Sequence, residues 1–285
     1  MGKLFERMLA PETINRAWRE LSTDRAVWEP GMSRAEMERN LLLHLLQLLE
    51  DVHAGRYRPA PLRRFTIAKA DGRQRVLSAL ALRDKLLQKA GQIVLEPDAE
   101  RRFHHDSFAY RPRRSVAMAL SRARERIACG LNWLVDADIR SFFDSIPVRA
   151  LRKHLKAFVQ DTQLMALIDQ WLDIGTAQSS FFSAPRGIAQ GAILSPLFCN
   201  LYLDTFDQAM DARKVPFVRF ADDFLLFTAS ESDARKALEY AGNVIKRLDL
   251  EIHPDKTRVT RSGPHVVFLG ERLPSFMDAK RMHRR

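Results

Sequence analysis

The feature that most restricts how this chain can fold is the run Phe217-Val218-Arg219-Phe220-Ala221-Asp222-Asp223-Phe224-Leu225-Leu226-Phe227. Two apolar segments rich in Phe and Val, residue types that suit a pleated surface, meet at a pair of adjacent aspartates. The simplest structure is a tight hairpin with the carboxylates at its bend. Alone, the pair reads equally well as a polar turn, because Asp is a common turn former. A third carboxylate upstream changes the balance. Leu134-Val135-Asp136-Ala137-Asp138-Ile139 is another apolar strand ending in acid. Carboxylates aimed together from separate strands repel one another unless a cation joins them. Two Mg²⁺ ions would supply that charge, with Mn²⁺ as a substitute, since Mg²⁺ takes a few carboxylates plus substrate phosphates.

Composition sets the partner class. The 285 residues carry 46 Lys and Arg against 35 Asp and Glu, a net charge of +11. Such a surplus suits a polyanion, most simply nucleic acid, although a generically basic surface would look the same. At 46% hydrophobic residues the chain can build one large or two small domains. Cys129 and Cys199 fall in no Cys-x-x-Cys or Cys/His pattern. A zinc site or disulfide framework is therefore not expected, and a reducing cytoplasm is. No signal pattern precedes the first helix, and no apolar run reaches the roughly 20 residues of a membrane span, so no membrane partner is expected.

Along the chain, Asn15–Leu21 reads as a short helix. Ser33-Arg34-Ala35-Glu36 is a capping box that opens a helix carrying Met37, Leu41, Leu45, Leu48, Leu49 and Val52, closed by Gly55. Leu62–Ala68 and Gln74–Leu80 alternate as strands about the turn Asp71-Gly72. This hairpin bears Arg63, Arg64, Lys69, Arg73 and Arg75, either as a solvated basic face or as a grip on a triphosphate or template backbone. Arg83–Leu95 is predicted as a helix stopped before Pro97, and Ser115–Cys129 as another. Between them, Phe108, Tyr110 and the surrounding basic residues suit stacking against bases or packing in a core. The neighbouring His104 and His105 are poorly arranged for one ion. Gln178–Ala184 is strand-like, Ser195 opens a long helix, and Ser232–Leu248 is amphipathic. Leu250–Arg261 and Val266–Leu273 read as closing strands. The order from 131 to 260 is a split βαβ arrangement, an antiparallel sheet with helices on one face and the acids on the other.

The motifs resemble those of reverse transcriptases over residues 55–273. Phe220-Ala221-Asp222-Asp223 is similar to the family's Tyr/Phe-Ala-Asp-Asp signature, and Asp138-Ile139-Arg140-Ser141-Phe142-Phe143-Asp144 to its first catalytic motif. Gly187-Ile188-Ala189-Gln190-Gly191-Ala192-Ile193-Leu194-Ser195-Pro196 resembles its Gln-Gly-x-x-x-Ser-Pro motif. The hairpin with Lys69 and Arg75 looks like the fingers motif; His253-Pro254-Asp255-Lys256-Thr257 and Phe268-Leu269-Gly270 look like the last two. Arg56-Tyr57-Arg58-Pro59-Ala60-Pro61, Ser107-Phe108-Ala109-Tyr110-Arg111-Pro112 and Asn200-Leu201-Tyr202-Leu203 are similar to the bacterial group II intron-like and CRISPR-associated branch, with the wording of 142–146 and 187–191 leaning toward the latter.

The resemblance implies an α+β right-hand polymerase with fingers and palm and a largely missing thumb. Its segments would be an N-terminal helical extension (1–54), fingers (55–130, with 147–185 shared between fingers and palm), a palm (131–273) and a basic tail or thumb start (274–285). It implies RNA-directed DNA polymerase activity on an RNA template with a DNA or RNA primer and dNTPs, in company with CRISPR adaptation proteins if that branch applies. Asp138, Asp222 and Asp223 would be catalytic and hold two Mg²⁺, with the Ile139 carbonyl as a further ligand. Asp136 shares a strand face with Asp138, but the motif favours Asp138; Asp144 is expected to make a structural bond. Lys69 and Arg75 would hold the triphosphate. Phe143 would lie under the sugar and exclude a 2′-hydroxyl, and Gln190 would contact the sugar or template. Lys256 would face the pyrophosphate. Phe220 would pack beneath the primer end, while Gly191, Arg63 and Arg64 would meet primer or template. The competing readings are a silent nucleic-acid-binding adaptor that kept the fold, and a two-metal nuclease, for which the Gln190 and Lys69 segments have no use.

Overall fold

The computed structural model describes residues 2–68, 74–176 and 185–283. Helices α1 (Lys3–Leu9), α2 (Pro11–Glu20), α3 (Arg34–Glu38) and α4 (Leu41–His53) precede a hairpin of β1 (Arg63–Ala68) and β2 (Gln74–Ala79). Helices α5 (Leu82–Arg102) and α6 (Val116–Ala128) lead into β3 (Trp133–Asp138). Then come α7 (Phe142–Ser145), α8 (Val148–Val159), α9 (Thr162–Thr176) and α10 (Ser195–Ala212). The hairpin of β4 (Phe217–Phe220) and β5 (Asp223–Thr228) is followed by α11 (Glu231–Arg247) and a 3-10 turn, Pro254–Lys256. Strands β6 (Arg258–Arg261), β7 (Val267–Phe268) and β8 (Glu271–Arg272) and helix α12 (Phe276–His283) complete the described chain. The predicted strand at 178–184 lies outside the described residues, as does Lys69. Two compact units emerge, Met1–Arg101 with Pro147–Phe198, and Arg102–Ile146 with Cys199–Arg285.

In the first unit the capping box forms as expected: the Ser33 N–H donates to Glu36 Oε2 (2.8 Å) and the Glu36 N–H to Ser33 Oγ (3.2 Å). The single helix predicted beyond it is instead two, because Asn40 leaves helical geometry (φ −132°, ψ 46°). Met37, Leu48 and Val52 are buried on either side of the break. Helix α5 runs on through Pro97, seven residues past its predicted end at Leu95. A proline inside a helix costs on the order of 3 kcal/mol. Against that, Leu82, Leu86, Leu87, Ala90, Val94, Leu95 and Ala99 are all buried, so packing outweighs the local preference.

The Arg-Tyr-Arg-Pro segment docks on α5 through a buried polar relay. The Tyr57 hydroxyl donates to Asp84 Oδ1 (2.7 Å) and accepts from Trp171 Nε1 (3.0 Å), while the Ala60 N–H donates to Asp84 Oδ2 (2.9 Å). Burial raises the Asp84 carboxyl above its ordinary value, and burial with the neighbouring Asp84 raises the Tyr57 phenol.

The second unit holds a four-stranded antiparallel sheet in the order β4-β5-β3-β6. Alternation along the strands sorts its two faces. Leu134, Val218, Leu225 and Phe227 pack with Ala119, Leu120, Ala123 and Ile127 of α6, with Phe268 of β7, with Leu273 after β8 and with Ala279 of α12. The opposite face meets α10, with Phe206 4.8 Å from Phe224 and 6.4 Å from Phe217. Helices therefore cover both faces, not one as expected. On the acid-bearing face, α6 and α12 cover the apolar residues that share the acids' alternation. The closing strands are also shorter than expected. Pro254 cannot donate to a ladder, and the 3-10 turn there leaves only Arg258–Arg261 paired with β3.

Tyr57→Phe removes the hydroxyl and leaves Asp84 Oδ1 and the Trp171 N–H unpaired in the interior. It should destabilise the protein by about 1–3 kcal/mol, read from the midpoint of urea unfolding followed by tryptophan fluorescence.

Candidate active site

Register brings the acids together. Across β3 and β5, Asp138 stands directly opposite Asp223, and the Ile139 N–H donates to the Asp222 carbonyl (3.2 Å). The pairing thus runs one residue beyond β3 and fixes Asp138 beside both members of the Asp222-Asp223 pair. Ala221 makes the bend with φ 59°, the left-handed region. Asp223 is the first residue of β5 rather than part of the turn.

On the other side of β3, the His253 N–H donates to the Asp138 carbonyl (2.7 Å) and the Arg140 N–H to that of Glu251 (2.8 Å). These bonds hold the 3-10 turn so that Lys256 Nζ donates to Asp138 Oδ2 at 2.5 Å. Asp136, two residues before Asp138 on the same face, is occupied: Arg258 Nε and Nη2 both meet its Oδ2 (2.9 and 2.8 Å). Burial is the first cause that raises the Asp136 carboxyl, opposed by Arg258.

Electrostatics mark the site as short of positive charge. Burial pushes the Asp223 carboxyl up to about 7, with Asp136, Asp138 and Asp222 adding to the rise and Lys256 opposing it. One lysine does not compensate this set. The donors here are carboxylate oxygens at the ends of the two central strands, the ligand type a hard divalent cation takes. Asp138, Asp222 and Asp223 are the residues that would hold it, while Asp136 is tied to Arg258.

The other predicted positions fall as follows. Ile139 is buried. Phe143 is half-buried in α7, its ring 5.8 Å from Phe142 and edge-on. Phe220 is half-buried against the α6 core. Arg63 and Arg64 lie exposed on β1, and Arg64 Nη2 donates to the Gly175 carbonyl (3.1 Å). Arg75 pairs in the ladder with Ile67. In the Gln190-Gly191 turn the Ser78 N–H donates to the Gln190 carbonyl (2.7 Å). Gly191 has φ 102°, and a Cβ there would sit 2.6 Å from the Ser78 carbonyl oxygen. The close approach that glycine permits is therefore made by β2's own backbone.

The role of Arg111 had no sign in the sequence. Arg111 is buried and staples its own loop, Nη1 donating to the carbonyls of His104 (2.7 Å) and Ser107 (2.6 Å). That loop lines the β4 edge through a parallel bridge between Ser107 and Arg219. His104, His105 and Asp106 do present donor atoms within 4.8 Å of one another. However, Asp106 is already paired with Arg122 (2.9 Å) and Arg126 (2.5 Å), and His104 Nδ1 accepts the Asp106 N–H (3.1 Å). The Asp106 charge and the His104 Nδ1 lone pair are thus already engaged.

Comparison with known proteins agrees with this architecture. Residues 67–273 match the family described as reverse transcriptase (RNA-dependent DNA polymerase). Protein YkfC of Escherichia coli K12 is 28% identical over 95% of this chain and 82% of its own length. The group II intron-encoded protein LtrA of Lactococcus lactis subsp. cremoris is 29% identical over 76% of this chain, but the match spans only 36% of LtrA. Telomerase from Candida albicans, solved with a TWJ fragment of telomeric RNA, superposes with a TM-score of 0.56 at 13% identity, over 84% of this chain and 48% of that one. The chain belongs to the reverse transcriptase family, with group II intron-encoded relatives. Among the described residues no helix is long and apolar enough to cross a membrane.

Asp223 supplies a pH test. Folded, it holds its proton to about pH 7, whereas the unfolded chain releases it near 3.8. Between those values the folded state binds more protons, so this group lowers stability as pH rises, and the full cost is present above 7. Without divalent cations, Asp223→Asn should therefore be more stable than the parent by about 1–3 kcal/mol at pH 8 and by clearly less at pH 5. Paired melting curves at the two pH values measure the difference.

Proposed function

We propose that this chain is an RNA-directed DNA polymerase that adds deoxynucleotides to a primer 3′-hydroxyl on an RNA template. The observation that carries the reading is the convergence of Asp138, Asp222 and Asp223 at one end of the sheet, in a chain of this family. Two Mg²⁺ ions, when bound, supply Lewis acidity toward the 3′-hydroxyl and the departing pyrophosphate. The protein's part is to hold and orient. Asp138 ends β3 directly opposite Asp223 at the start of β5, and Asp222 lies in the turn just before it, so the three carboxylates would hold the ions together. The Ile139 carbonyl is offered as a further ligand. Lys256, now on Asp138, is the cation next to the acids and would turn to the triphosphate when substrate enters.

The remaining roles belong to the same proposal. Lys69 and Arg75 clamp phosphates, and Phe143 rejects the 2′-hydroxyl of a ribonucleotide. Gln190 contacts sugar or template, Phe220 supports the primer end, and Gly191, Arg63 and Arg64 line the template or primer path. Fingers over 55–130 with part of 147–185, a palm over 131–273 and an N-terminal extension over 1–54 are the corresponding division. The net charge of +11 favours a nucleic-acid partner. Cas adaptation proteins are the protein partners to test by co-purification, and the cytoplasm is the compartment its two free cysteines suit.

Extension of oligo(dT) on poly(rA) with dTTP and Mg²⁺ tests the reading. The parent should lengthen the primer, whereas a nuclease would shorten it and an adaptor would only bind. Asp222→Ala should abolish extension while leaving template affinity nearly unchanged. Phe143→Ala should admit rUTP, lowering the dTTP over rUTP preference by about 10-fold or more.

A further inference from the structure

Arg219 is a fully buried arginine in the strand that leads into the acids, three residues before Asp222. It sits in β4 on the face opposite Asp223, directly across from Phe224, and reaches Asp207 of α10. Its guanidinium forks onto Asp207, Nε to Oδ1 at 2.7 Å and Nη2 to Oδ2 at 2.6 Å. Nη1 donates to Asn200 Oδ1 (3.0 Å) and to the Ala221 carbonyl (2.9 Å). Asp207 and Asn200 are themselves buried, and Asn200 Nδ2 donates onward to the Ala109 carbonyl (2.8 Å). Asn200 and Asp207 are seven residues apart on α10, two turns along one face, so both reach one guanidinium.

The contact with Ala221 is the informative one. An ion pair with Asp207 would satisfy the arginine's charge without it. The Ala221 carbonyl belongs to the peptide plane that leads into Asp222. Ala221 adopts φ 59°, a conformation that costs a residue with a Cβ about 1–2 kcal/mol. Something must hold it there, and the buried guanidinium is bonded to that carbonyl. The next peptide plane, Asp222's own, is held from the other side by the Ile139 N–H (3.2 Å). Asp222 is therefore gripped on both flanking planes, one by β3 and one by Arg219.

We propose that Arg219, fixed by Asp207 and Asn200, is a positioning residue that sets the direction of the Asp222 carboxylate by pinning the left-handed Ala221 peptide. This rests on the polymerase reading of the acid cluster. It predicts that losing the pin weakens cation binding without unfolding the sheet.

The experiment separates those effects. Replacing a buried ion pair by apolar side chains of similar size is often neutral or stabilising. The double variant Arg219→Met with Asp207→Leu removes the pin and the lone charge together. Melting temperature is measured beside Mn²⁺ affinity, read by electron paramagnetic resonance with the metal alone. The Mg²⁺ midpoint for primer extension is the third reading. The double variant should melt close to the parent, while its Mn²⁺ dissociation constant and Mg²⁺ midpoint rise about 10-fold or more. Asn200→Ala keeps the ion pair but loosens Nη1, and should shift both in the same direction by a smaller factor. If either variant is folded and binds Mn²⁺ as the parent does, Arg219 is structural only and the inference is overturned. Asp222→Ala in the same assay is the control on the underlying reading. Unchanged Mn²⁺ affinity there would overturn the metal assignment itself, whatever Arg219 does.

Discussion

Two aspartates placed directly opposite each other across an antiparallel pair repel, and the second unit is organised around that repulsion. Asp138 faces Asp223 in register, with Asp222 beside them and Asp136 two residues back. Like charges opposed across a ladder destabilise it. The strands nevertheless hold, because the residues between and behind the acids are apolar and sealed: Val135, Phe224, Leu226 and Leu134 are all fully buried. A slip of one residue would carry every one of these side chains to the wrong face. The cost of the acids is thus offset by a register that cannot shift cheaply. The excess negative charge remains at the open end, where the Asp223 carboxyl holds its proton unusually far up the pH scale.

The buried polar side chains serve that same end. Arg219 pins the peptide ahead of Asp222, and Arg111 gathers the loop that lines the β4 edge. Tyr57 and Asp84 do comparable work in the first unit, docking the connector before β1 onto α5. Each is a charged or hydroxyl-bearing group taken out of water, a costly step unless every donor finds a partner. Motifs rich in Arg, Tyr and Asn, which look in one dimension like a nucleic-acid surface, are in three dimensions partly the scaffold beneath the site.

Particular residues show where legibility ended. The apolar runs flanking Asp222 and Asp223 and the run ending at Asp138 carry their strand character locally, in alternation and side-chain type, and they form as read. The capping box at Ser33 is likewise a four-residue interaction and forms as read. The continuation of α5 past Pro97 was not legible, since the cost of the proline is local whereas the burial that outweighs it comes from distant segments. Nor was the covering of the acid-bearing face by α6 and α12, because which face a helix meets depends on chain path. Arg219 gave no local sign at all: a lone arginine between valine and phenylalanine is ordinarily turned to solvent.

What the sequence determined by itself is the chemistry of the site and the strands that carry it. Apolar alternation sets which residues pair, and pairing sets which carboxylates stand at the strand ends. What only tertiary structure decided is which charges answer them. Lys256 on Asp138, Arg258 on Asp136 and Arg219 on the Ala221 carbonyl are contacts over 118, 122 and 2 positions. The shortest of them exists only because α10 supplies Asp207 and Asn200 to hold the guanidinium. Repulsion among acids is a local property of strand register, but its compensation is a property of the folded volume, and no stretch of chain encodes it alone.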